Sequence, residues 1–271
     1  MASALIIVWR ESVEAILVIA ILYAWLRSND ARAGLRWLAG GVAGGLGVAL
    51  VLAAAMAALH GSLATAALEW FQALILFAAA LLIVQMVGWM RAHGRLLKRE
   101  LESGARNALA SGNFAGIAAL SAIAVGREGA ETVLFLYGLL LEQSGAGLAA
   151  VATGAVLGLA AALATFWLLW RGSRWLSWPV FFRVSEVLLL VFASALVVGG
   201  VDRLLDMGVL PAEAPHWDSA WLIDDARGVG SVLQQFAGYR ARPDTFELGA
   251  WLAYWAIALG WLNRGRLLKH A

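Results

Sequence analysis

Apolar residues run along this chain in long stretches broken by short polar links. Seven stretches stand out, at about residues 4–26, 37–59, 66–90, 114–141, 148–170, 180–201 and 246–263. Roughly 20 apolar residues make a helix that crosses the hydrocarbon layer of a bilayer, about 30 Å thick. The pattern therefore predicts an all-α integral membrane protein with seven transmembrane helices. The first stretch starts almost at Met1, lacks a basic leader and contains Arg10, Glu11 and Glu14. It reads as a retained helix, not a cleaved signal.

The links differ in charge. Arg27, Arg32 and Arg36 follow the first stretch, and Arg91, Arg95, Lys98, Arg99 and Arg106 follow the third. Arg171 and Arg174 follow the fifth, and Arg264, Arg266 and Lys269 lie in the tail. The links after the second and fourth stretches hold no Lys or Arg. The long link at 202–245 is mixed but acid-rich, with Asp202, Asp206, Glu213, Asp218, Asp224 and Asp225. Basic links stay in the cytoplasm. The prediction is N-terminus out and C-terminus in, which needs an odd number of spans.

Composition narrows the class. The 271-residue chain is 62% hydrophobic and 14% charged, against roughly 25% charged in a soluble domain. That excludes a soluble enzyme, a nucleic-acid binder and a disordered chain, because a soluble fold of this length cannot bury so much apolar surface. The 14 Trp suit a membrane protein, where Trp gathers at the lipid interfaces. No Cys is present, so there is no disulfide framework or thiolate metal site.

The stretches repeat in order. Arg10-Glu11-Ser12-Val13-Glu14 in the first stretch matches Arg127-Glu128-Gly129-Ala130-Glu131 in the fourth. A glycine-rich stretch follows each: Gly40, Gly41, Gly44, Gly45 and Gly47, then Gly154 and Gly158. Each set closes on a stretch with Phe-Ala, from Phe77 and from Phe192. The reading is a single transmembrane domain over 1–271. Repeat 1 covers about 1–112, repeat 2 about 113–209, the outer loop about 202–245 and a last helix about 246–263. A three-span repeat inverts its copy, and inverted repeats are typical of transporters, with the substrate site near the midplane. The Gly40–Gly44 and Gly154–Gly158 spacings are expected to serve close helix packing. Trp217 and Trp221 are expected to anchor an amphipathic stretch at the outer interface, and Asp244 and Glu247 have the spacing of a capping box.

Charges inside a bilayer cost at least about 2.5–3.5 kcal/mol each on insertion scales. The two motifs hold four carboxylates and two guanidinium groups. Residues three apart share a helix face, so Glu11 points with Glu14 and Glu128 with Glu131. Arg10 and Arg127 each lie four before a glutamate of their own motif and can pair with it. Facing each other, the motifs carry a formal charge of −2, which suits a cation. The donors are hard oxygens, and His60, His93, His216 and His270 lie outside or at the ends of the stretches. Ferric iron, calcium, magnesium or manganese fit this set better than copper(I) or zinc. Glu69 and Glu186, near the starts of the third and sixth stretches, are either solvated at an interface or extend a carboxylate path. His216, Asp218, Asp224 and Asp225 read as a solvated acidic loop more readily than as a metal-holding group.

At these residues the chain resembles the oxidase-dependent iron permease family, whose hallmark is R-E-x-x-E in the first and fourth of seven helices. Both copies are filled here, by Arg10, Glu11, Glu14 and by Arg127, Glu128, Glu131. Ser12 stands where Gly is common. Gly126–Leu136, Trp89-Met90-Arg91, Glu69 and Gly238-Tyr239 with Pro243 also look family-like, so the likeness covers most of the chain.

The resemblance implies a transporter and not an enzyme, moving iron across a plasma membrane, in bacteria the inner membrane. It implies ferric iron accepted from a periplasmic or extracellular partner that oxidises ferrous iron. Iron is cargo, with no permanently bound cofactor. Glu11, Glu14, Glu128, Glu131, Glu69 and Glu186 would meet the metal, and Arg10 and Arg127 would balance their charge. Lipids surround the chain, and nucleic acid is not a partner. Rival readings are a transporter of lead or manganese, a proton-coupled transporter, and a non-transporting scaffold that docks a periplasmic partner through 202–245.

Overall fold

The structure, a computed structural model, describes residues 1–93, 97–110, 114–142, 147–171 and 178–267. Arg95, Arg174, Lys269 and His270 lie outside the described residues. Those residues form helices and no strands. The long helices are α1 (Ala2–Ser28), α2 (Gly34–Ser62), α3 (Thr65–His93), α5 (Ala115–Glu142), α6 (Gly147–Trp170), α7 (Trp178–Asp206) and α9 (Thr245–Leu267). Two shorter ones, α4 (Leu97–Ala110) and α8 (Gly228–Ala237), lie in segments that the sequence reading left as links.

Four helical segments are long and apolar enough to cross a membrane by length and composition: Gly34–Ser62, Thr65–Arg91, Leu148–Leu168 and Arg183–Asp206. At 27 and 28 residues, α1 and α5 match them in length but each carries a three-charge motif. The outward faces are apolar. Leu50, Val51, Leu81, Ile123, Val156 and Ile257 are exposed, which suits a surface solvated by lipid.

Small residues set the close pairings. A Cβ on Gly154 would lie 2.4 Å from the Met1 carbonyl oxygen and 3.0 Å from Ala4 Cβ. A Cβ on Gly158 would lie 2.5 Å from Leu5 O and 3.0 Å from both Trp9 N and Val8 Cβ. The pairing of α2 with α5 mirrors this contact for contact. Gly41 abuts Ala118 O and Ser121 Oγ, and Gly45 abuts Ala122 O, Gly126 N and Val125 Cβ. The close face of α2 is therefore Gly41–Gly45, one residue on from the expected Gly40–Gly44. Gly40 meets nothing within 4 Å, and Gly44 only Ala122 Cβ at 3.9 Å. Five glycines in eight positions offer both registers, and only the packing against α5 chooses between them.

α1 and α5 run antiparallel. Leu22 and Leu26 of α1 share one apolar cluster with Ile117 at the start of α5, while Glu11 meets Glu128 and Glu131 further along. α3 and α7 are likewise antiparallel, with Phe77 against Gly200 and Arg91 paired with Glu186. The largest core joins α3, α5 and α7 through Leu76, Ile83, Phe135, Leu139, Leu189 and Phe192, closed by Tyr254 and Ala258 of α9. In α4, Leu101, Ala105 and Ala108 bury one face against the α1–α5 cluster. That amphipathic spacing, with charges between, is why no long apolar run announced the helix.

The segment between α7 and α9 folds back on itself. α8 ends at Gly238, whose φ of 71° is left-handed and whose N–H reaches Gln234 O. The Gly238 Cα also lies close enough to α7 that a Cβ would sit 3.0 Å from Ala195 Cα. Asp225 accepts from Ala241 N–H at 2.8 Å, and Asp218 pairs with Arg242 at 3.0 Å. The Ala220 N–H, with Arg242 in support, holds the Asp218 carboxyl below its usual value. The capping box forms: Glu247 accepts from Asp244 N–H and Asp244 from Phe246 N–H. Trp217 and Trp221 are exposed and lie in irregular chain and turns.

Gly45→Leu should lower the thermal stability of the detergent-solubilised protein by at least about 1–3 kcal/mol, because backbone atoms block the new side chain. Gly40→Leu should change it little. Thermal unfolding of the two variants side by side checks the register of α2 on α5.

Candidate cation site

The two R-E-x-x-E motifs come together where α1 crosses α5. One carboxylate oxygen from each of Glu11, Glu128 and Glu131 lies within 4.8 Å of the others. Glu11 is 1% exposed and Glu128 8%, so water does little to screen them. Two like charges about 5 Å apart at an effective dielectric of about 20 repel by about 3 kcal/mol. A third carboxylate raises the cost further, and a cation between them removes it.

Arg10 is 1% exposed. Its guanidinium pairs with Glu11 at 2.8 Å and with Glu14 one turn on. It also donates to the sulfurs of Met86 and Met90 on α3. Of the two glutamates paired with Arg10, Glu11 is one of the three clustered carboxylates and Glu14 is not, although Glu14 too keeps a buried oxygen without a hydrogen-bond partner. Arg127 Nε pairs with Glu131 at 2.8 Å, and its guanidinium carbon lies 5.0 Å from the centre of the Trp89 ring. Both i,i+4 pairs expected from the spacing are present. Glu11, Glu128 and Glu131 each keep a buried carboxylate oxygen with no hydrogen-bond donor. Buried acceptors without donors are rare in folded proteins, and here one comes from each clustered carboxylate. The arrangement offers three hard oxygens to a positive ion.

Glu69 and Glu186 stand apart from this cluster. Glu69 is half-buried one turn into α3 and has no hydrogen bond or ion pair among the described residues. Glu186 of α7 pairs with Arg91 of α3. His60, near the end of α2, lies 2.8 Å from the Tyr137 hydroxyl. Trp9 Nε1 donates to Thr165 at 2.9 Å, tying α1 to α6 beside Arg10.

The model of the Iron permease FTR1 family matches residues 1–264. The chain belongs to that family. Among similar proteins is the ferrous iron permease EfeU of Escherichia coli O6:H1, 28% identical over 259 residues, covering 94% of this chain and 92% of the relative. The ferrous iron permease EfeU of Yersinia pestis is 29% identical over 265 residues, covering 94% of this chain and 90% of the relative. No solved structure matches. A chain of the iron permease family with these apolar helices is a multi-pass membrane protein, a transporter and not an enzyme, with iron as its substrate.

From the sequence, Trp89 and Met90 stood out only as part of a family-like stretch and Met86 not at all; none was expected to seat an arginine. Met86, Trp89 and Met90 share one helix face by their i, i+3, i+4 spacing. That pattern was visible, but it reads equally well as an apolar face until a guanidinium is found on it.

Arg10→Lys should be more damaging than Arg127→Lys. Arg10 forks across two carboxylates, which a single ammonium cannot reproduce, while Arg127 gives one nitrogen to Glu131. Arg10→Ala should cost about 3–5 kcal/mol, since it leaves buried carboxylates without their cation. Thermal unfolding and membrane abundance of the three variants check this.

Proposed function

We propose that this protein carries iron inward across the plasma membrane, in a bacterium the inner membrane, through the carboxylate site formed by its two motifs. Seven helices span the bilayer as two inverted three-helix repeats plus a C-terminal helix, N-terminus out and C-terminus in. The observation that carries the reading is the meeting of Glu11, Glu128 and Glu131, each with an unsatisfied buried oxygen, in a chain of the iron permease family. The antiparallel crossing of α1 and α5 supports the inverted repeat.

The ion is ferric iron, supplied by a periplasmic or extracellular partner that oxidises ferrous iron. Three carboxylates and no His or Cys suit a hard trivalent ion. The relatives' name, ferrous iron permease, fits uptake that begins from ferrous iron outside. It also favours a second reading, in which ferrous iron itself crosses.

Iron meets Glu69 on the outer side, then Glu11, Glu14, Glu128 and Glu131, then Glu186 on the inner side. Carboxylates replace its waters stepwise, because shedding them at once is prohibitive. An inside-negative potential of 100 mV drives a trivalent ion by about 7 kcal/mol. Arg10 and Arg127 stabilise the site when no metal is bound. Their positive charge also weakens metal binding enough for release.

Vesicle uptake of radiolabelled iron, offered as ferric citrate or as ferrous iron with ascorbate, tests the reading. Glu11→Gln, Glu128→Gln and Glu131→Gln should each lose most uptake, and Glu69→Gln and Glu186→Gln should lose less. Normal uptake in Glu11→Gln and Glu128→Gln would make the motifs structural. Uptake from the ferrous arm alone would favour the second reading.

For orientation, a Cys placed at Ser219 should react with a membrane-impermeant reagent in intact cells. Reaction only after lysis would reverse the topology.

A further inference from the structure

Arg10 and Arg127 open the two motifs at matching positions but are seated differently. The Arg10 side chain is 1% exposed and engages both glutamates of its motif. The Arg127 side chain is 42% exposed and engages only Glu131. The first motif demonstrates that an arginine here can reach both glutamates. The second leaves Glu128 without an arginine partner, while buried carboxylate oxygens without a hydrogen-bond partner occur in both motifs, on Glu11 and Glu14 as on Glu128 and Glu131.

What distinguishes the two seats is α3. Arg10 lies against the sulfurs of Met86 and Met90. Arg127 lies over the Trp89 ring at 5.0 Å. Trp offers the strongest ring face for a guanidinium. Held on that face and by Glu131, Arg127 is kept off Glu128. On its own helix, Glu128 is then free to serve the cluster with Glu11 and Glu131.

We infer that Trp89 is a positioning residue of the transport site: its ring seats the Arg127 guanidinium and so keeps Glu128 open for the cation. The inference rests on the iron-permease reading above. Without the ring, Arg127 does as Arg10 does and bridges both glutamates of its motif. Glu128 is then tied to an arginine as Glu11 already is, and iron must draw one more carboxylate away from a guanidinium to fill the site. Trp89 therefore governs how much iron is needed to fill the site more than how fast a filled site turns over.

Concentration-dependent iron uptake in vesicles tests this with Trp89→Leu, which keeps bulk without a ring face, and Trp89→Phe, which keeps a ring. Trp89→Leu should raise the half-saturating iron concentration about threefold to thirtyfold, the range a cation–ring contact carries. Trp89→Phe should raise it less than threefold. Half-saturation does not depend on how much protein is in the membrane, so poor insertion cannot imitate the effect. Should Trp89→Leu fail to insert, Trp89→Met carries the same expectation. Equal effects of Phe and the ringless variant, or unchanged half-saturation in the latter, overturn the inference. Glu128→Gln is measured in parallel. If it transports normally, the carboxylate site itself falls, and the inference with it. If it loses uptake while Trp89→Leu behaves like Trp89→Phe, only the role of Trp89 falls.

Discussion

Ionised groups in an apolar bundle need partners, and this constraint organises the centre of the molecule. Arg10 has almost no exposed surface, yet it carries a charge that does not come off at any ordinary pH. Its neighbours answer that demand, with Glu11 and Glu14 from its own helix and two polarisable sulfurs from α3. The carboxylates in turn outnumber the guanidinium groups. The surplus is negative charge on three clustered carboxylates, for which a positive ion is the natural counterpart.

The scaffold brings two helices, each expensive to insert, into contact. Backbone approaches backbone at Gly41 and Gly45 on one side and at Gly154 and Gly158 on the other. Such contacts draw on dispersion and fit, because lipid tails are as apolar as the helices they would displace. Matching contacts on the two sides hold α1 and α5 in matching frames, and the two motifs meet where these helices cross. The frame repeats, but the charges within it do not. One arginine is locked between helices and the other lies half open on an aromatic ring, and α3 meets them with different side chains. Two copies of one motif thus hold one fixed and one half-open arginine once their surroundings diverge.

The segment between α7 and α9 uses its acids on itself. Asp202 pairs with Arg240, Asp218 with Arg242, and Asp225 caps a backbone N–H. These bonds fold the segment against the ends of α7 and α9, with Tyr239 tied to Ser219 and Ile223. Its acidity therefore builds structure before it offers any attraction to cations.

The sequence by itself determined the helical class, the positions of the long helices and the pairing of each arginine with the glutamate four residues on. These follow from hydrophobic run length and helical periodicity, which are local. The family was legible because two short motifs fall in corresponding helices. Tertiary structure alone decided which face of α2 meets α5, because adjacent glycines make two registers equally smooth. It decided that Arg10 pairs with both Glu11 and Glu14 while only Glu11 joins Glu128 and Glu131, because helix periodicity puts Glu11 and Glu14 on one face without saying what lies opposite. It also decided that Arg10 is locked and Arg127 half open. Met86, Trp89 and Met90 lie far from both motifs in sequence, and only the packing of α3 brings sulfur to one guanidinium and a ring to the other.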